Sequence, residues 1–83
     1  MLNAQTAVTK IAHFFTKAGM LVTVKGNKVV VDAKFTAVRR AVRAAGNRNR
    51  KISDTCFDVR LPDDLSAVFT SIGQGDKCTI QVH

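Results

Sequence analysis

Residues 20–32, MLVTVKGNKVVVD, limit the possible folds more than any other stretch of the chain. A two-residue loop at Gly26-Asn27 pairs Lys25 with Lys28, Val24 with Val29 and Val22 with Val31, so the valines align on one face of a β-hairpin. The other face takes Leu21, Thr23 and Val30 and is therefore not fully polar. The register is self-consistent, because a slip by one residue would break the alignment of Val22 and Val24 with Val29 and Val31.

The flanking segments read as helices. From Asn3 to Ala18, the residues Ala4, Ala7, Val8, Ile11, Phe14, Phe15 and Ala18 recur at three- and four-residue steps. Asn3, Thr6, Lys10, His13 and Lys17 form the opposite stripe, and Gly19 suits the position after the helix end. A second helix is expected over 33–45, capped by Asp32, with Phe35, Val38, Ala41, Val42 and Ala45 inward and Gly46 closing it. The tract NRNRK (47–51) reads as a polar loop, and Thr55–Leu61 alternates as a strand. Pro62-Asp63-Asp64 signals a short third helix, with Asp63 as its cap, Asp64 in its first turn, and Leu65, Val68, Phe69 and Ile72 on one face. Gly73 would end it, Gly75-Asp76 would turn, and Lys77–Val82 alternates as a last strand.

The expected order is α-β-β-α-β-α-β: an α+β two-layer sandwich of about four strands and three helices, in one domain over 1–83. Eighty-three residues leave no room for a second core, and 46% hydrophobic with 23% charged residues is a globular balance. The expected core is Val8, Ile11, Phe15, Val22, Val24, Val29, Val31, Phe35, Val38, Val42, Phe57, Val59, Val68, Phe69 and Ile80. No GxxG joins two helices as in a KH domain, and the strand count before the second helix does not suit a double-stranded-RNA-binding domain.

Charge divides by position. Residues 1–51 hold eleven Lys/Arg against Asp32 alone, while residues 52–83 hold two against five Asp. Between Arg39 and Lys51 lie six bases and no carboxylate, which suits a polyanion or an acidic protein as partner. Arg39, Arg40 and Arg43 share an arc of the second helix of roughly 100°, and Asn47, Arg48, Asn49, Arg50 and Lys51 follow directly. Guanidinium forks grip phosphates bidentately, and Asn reaches sugars, phosphates or base edges. The bland account is an Arg-rich solvated face whose cations the helix dipole favours. Lys25 and Lys28 at the hairpin tip either grip phosphate or protect a strand edge. With five Phe and no Tyr or Trp, all at core-like spacings, base stacking is a weak expectation.

Catalytic signals are poor. His13 has no nucleophile at a known spacing, and the Asp residues have caps, turns and ion pairs to serve. GQGDKCT (73–79) lacks a phosphate-loop spacing. Cys56 and Cys78 fall on opposite strand faces and read as free thiols in a reducing compartment. No enzyme, metal or other cofactor is implied. The start of the chain lacks a secretory pattern and no apolar run is long enough for a membrane, so a cytoplasmic location is expected.

Two functions are consistent with these residues. The first is a non-enzymatic protein whose 39–51 region contacts nucleic-acid phosphates. The alternative is a protein-binding inhibitor or adaptor, of the kind encoded by phages or mobile elements, docking its basic face on an acidic host protein. Leu21, Val30 and Cys56 also put apolar groups on the second face of the sheet. Either the third helix crosses to cover that face or a homodimer does.

Overall fold

The computed structural model describes residues 3–46 and 49–83. Helix α1 spans Ala4–Lys17 and is capped by Asn3, whose Oδ1 accepts from the Thr6 N–H at 2.8 Å. Beyond its last turn the Gly19 N–H donates to the Thr16 carbonyl at 3.0 Å and the Met20 N–H to the Phe15 carbonyl at 3.1 Å. This paired closure needs a left-handed residue, and Gly19 supplies it at φ 87°. Strands β1 (Leu21–Lys25) and β2 (Lys28–Asp32) pair in the register that the valine alternation dictates. Gly26 takes φ 58° at the first loop position, which a primed hairpin turn requires.

Helix α2 spans Phe35–Ala44 and buries Phe35, Val38 and Val42. It starts later than the sequence suggests. Lys34 holds the cap position with no side-chain hydrogen bond, and Asp32 is no cap at all. Asp32 stays in the β1–β2 ladder opposite Leu21, which keeps it too far upstream to reach the helix's free N–H groups.

The largest corrections lie in the second half. The tract expected as a loop contributes β3 (Asn49–Ser53), and the expected third helix is β5 (Ser66–Ile72), between β4 (Cys56–Arg60) and β6 (Lys77–Val82). The described residues therefore hold two α-helices and six strands, not three and four, joined in one antiparallel sheet of order β1-β2-β6-β5-β4-β3. Two features decide β5. Leu65, Val68, Phe69 and Ile72 fit a helical face, yet Ala67 and Phe69 turn inward while Val68, Thr70 and Ile72 turn outward, and these outer β-branched residues suit a pleated surface. Pro62–Leu65 is also a tight hairpin turn, closed by the Leu65 N–H on the Pro62 carbonyl at 3.4 Å, with Asp63 and Asp64 both left-handed at φ 61° and 62°. Asp63 is accordingly not a helix cap, and Asp64 lies in no helical turn. β3 tolerates a polar sequence because it is an edge strand with one neighbour.

Both helices contribute to the core on one side of the sheet. That side holds Val29, Val31, Ile80, Phe57, Phe69 and Cys78, with Val8 and Phe15 of α1 and Val38 and Val42 of α2 among the residues packed on them. Phe57 and Phe69, opposite each other on β4 and β5, stack at 4.5 Å, and Phe15 and Phe35 meet the two ends of this pair at 6.3 and 5.4 Å. Two expected core residues lie elsewhere. Val24 is 45% exposed because no strand flanks β1 on its outer edge. Val68 occupies the opposite face of the sheet and is only half-buried, as alternation from Phe69 requires. No helix among the described residues is long and apolar enough to cross a membrane.

Candidate nucleic-acid interface

Helix α2 turns Phe35, Val38 and Val42 into the core, which leaves Arg39 on its flank and Arg40 and Arg43 outside. Arg39 is half-buried, its guanidinium carbon 5.6 Å from the centre of the Phe57 ring. Its Nε is buried and has no hydrogen-bond partner among the described residues. Arg40 and Arg43 are exposed and form no ion pair among the described residues. Neither helix contains a carboxylate: all six acids of the chain are aspartates in strands or turns. The helical layer thus presents Lys10, Lys17, Arg39, Arg40 and Arg43 with no opposing charge within it.

Strand β3 divides its share of the basic tract between two faces. Asn49 lies opposite Val59 and Lys51 opposite Phe57, which puts both on the helix side, next to the ring that carries Arg39. Arg50 lies opposite Asp58 on the other face and donates from Nη2 to its Oδ2 at 2.8 Å. Lys51 pairs with Asp54 at 2.9 Å, and that hydrogen bond, helped by the lysine's charge, holds the Asp54 carboxyl below its ordinary value. Both cations therefore have a carboxylate: Arg50 takes Asp58 from the neighbouring strand, and Lys51 takes Asp54 three residues further along. Asn47 and Arg48 lie outside the described residues.

Lys25 and Lys28 do not join this group. They face each other at the hairpin tip on the side of the sheet opposite the valines, and three strands separate β2 from β3. At strand spacing that is about 19 Å. Phe57 brings Arg39 and Lys51 to one place, with Asn49 two residues along β3, while Arg40 and Arg43 lie outside on α2.

Sequence reasoning missed two features. A polar depression of about 380 Å³ is lined by Asn49, Arg50, Asp58, Arg60 and Ser66. Its only advance sign was the Asp58–Arg60 alternation within one strand. Between the helices an apolar depression of about 190 Å³ is lined by Ile11, Phe14, Val42 and Leu61, among others, with Lys10 also on its wall. Phe14, 37% exposed, stands edge-on to Phe15 at 4.9 Å. The thiols point apart: Cys78 is in the core, where burial pushes its pKa up to about 12, and Cys56 is on the opposite face. No cluster of three or more potential metal ligands occurs among the described residues.

No family model, curated protein or solved structure matches the chain.

Proposed function

We propose that the chain is a non-enzymatic binding protein that seats a nucleic-acid backbone along the flank of α2 and the helix side of β3. Arg39, Arg40 and Arg43 are the phosphate contacts, with Asn49 and Lys51 beside them. The observation that carries this reading is Arg39: a guanidinium laid on an aromatic face, its Nε unpaired, in a helical layer without a carboxylate. A planar cation held this way loses less freedom on meeting a phosphate than a mobile side chain does. Four of the five Phe rings are buried and Phe14 is only partly open, so the contact is to backbone rather than to stacked bases.

Fluorescence anisotropy with labelled duplex DNA, single-stranded DNA and RNA, each at several salt concentrations, tests the reading. Binding that weakens steeply with salt is expected. Absence of binding to all three at low salt overturns it.

The apolar depression beside Phe14 favours a second reading, a protein-binding inhibitor or adaptor. An apolar centre with basic residues around it is how a docking surface for an acidic protein is built. A purified acidic partner whose binding survives nuclease and is lost in Phe14→Asp would put this reading first.

A further inference from the structure

Both helices pack on one side of the sheet, and no described helix covers the other. On that open face, strand pairing lines up a middle row of Thr23, Val30, Thr79, Thr70 and Cys56. β1, β2, β5 and β6 each set one residue two positions before this row and one two positions after it. On β2 these are Lys28 and Asp32; on β5 they are Val68 and Ile72. The Lys28 ammonium and the Asp32 carboxylate have no ion-pair partner among the described residues. Leu21, at 73% exposed, and Ile72, at 37%, leave apolar surface on the same face.

We infer that a second copy of this chain covers this face, related by a two-fold axis running across the strands along the middle row. Such an axis lays each strand antiparallel on its own copy and exchanges the two outer rows. Lys28 then meets the partner's Asp32, and the symmetric pair forms as well. Val68 meets the partner's Ile72, while the short side chains of the middle row allow the sheets to approach. The charges also select this axis over its perpendicular. A two-fold axis along the strands would set Lys25 over the partner's Arg50, and the only acid it would offer Lys28 is Asp58, already held by Arg50. Three rows on four strands and two on β3 and β4 make a face on the order of 400 Å² in projection, towards the scale of an interface burying about 800 Å² of accessible surface per partner.

The inference concerns the face opposite the arginine flank and stands independently of nucleic-acid binding. Sedimentation equilibrium of nuclease-treated protein at tens of micromolar should return the mass of a dimer. Lys28→Asp and Asp32→Lys each put like charges together at both symmetric positions, and each should weaken the dimer by about tenfold or more. An equal mixture of the two variants should restore it, because the heterodimer opposes two acids to two lysines. A monomeric wild type at that concentration overturns the proposal. So does a single variant that dimerises as tightly as wild type, or a mixture no tighter than its components.

Discussion

Arg39 rests on Phe57, its guanidinium carbon 5.6 Å from the ring centre, and the ring's cross-strand neighbour is Phe69, stacked at 4.5 Å. One charged side chain of the proposed contact surface is thus built onto the aromatic centre of the core. Arg39 and Arg40 adjoin in sequence and differ in burial, so they should fail in different ways.

Arg39→Ala and Arg40→Ala should each flatten the log–log salt dependence of duplex binding by about 0.9, one phosphate's worth. Stability should separate them. Arg39→Ala loses its packing on the ring and should cost about 0.5–1 kcal/mol, while Arg40→Ala should stay within about 0.5 kcal/mol of wild type. Salt-titrated anisotropy and urea unfolding read the two effects. Equal stability losses would mean that the Phe57 contact contributes nothing in solution.

With three phosphates neutralised, duplex affinity should fall about forty-fold between about 50 and 200 mM salt, a slope near −2.7. Replacing Arg39, Arg40 and Arg43 together by Ala should remove most of that slope. Lys25→Ala with Lys28→Ala should change it little, since both lie at the other end of the sheet. A larger effect from the lysine pair would move the contact surface to the hairpin tip.

Phe15→Ala should cost about 3–5 kcal/mol, because the ring is fully buried and touches both Phe14 and Phe69. Phe14→Ala, at the partly open end of this cluster, should cost clearly less. Urea midpoints for both variants give the comparison, and a loss under 1 kcal/mol at Phe15 would take that face of α1 out of the core.

The Cys78 thiol, raised to about 12 by burial, stays protonated in the fold well above the pH at which an unfolded chain ionises it. The unfolded state then binds fewer protons than the native state, so stability falls as pH rises from about 9 towards 12. Cys78→Ala removes this contribution. The wild-type advantage over the variant should shrink steadily across that window in urea unfolding, and an advantage independent of pH would rule out a buried neutral thiol.

Asp64 holds φ 62° in the β4–β5 turn, a conformation that costs an L-residue about 1 kcal/mol and glycine nothing. Asp64→Gly should therefore raise stability by about 0.5–1 kcal/mol, whereas a helix starting at Pro62 would be weakened by the same change. Thermal or urea unfolding decides the sign.

That turn also shows where reading from sequence stops. The β1–β2 hairpin was legible because one register puts four of its five valines on a single face and its turn carries Gly. α1 was legible from its apolar spacing and Gly19. Ser66–Ile72 was not, because a mostly apolar run satisfies helical and strand periods together and the two turn aspartates mimic a helix start. The arginines of α2 were legible as a group. Asp54 and Asp58 were legible as partners for nearby cations, but which cations they take was not: β3–β4 pairing gives Asp58 to Arg50, and the turn after β3 gives Asp54 to Lys51. A basic tract in sequence overstates a basic patch in space whenever it enters a sheet.

Every neighbouring pair in the sheet but one is also consecutive along the chain; the exception is β2 beside β6. The β3–β6 meander can zip by short steps, and so can the N-terminal hairpin. Joining them at Lys28 and Gln81 closes a loop of about fifty residues, the slowest kind of search. The seam between β2 and β6 should therefore form last, and the N-terminal α1-β1-β2 unit should be the part that opens first under native conditions.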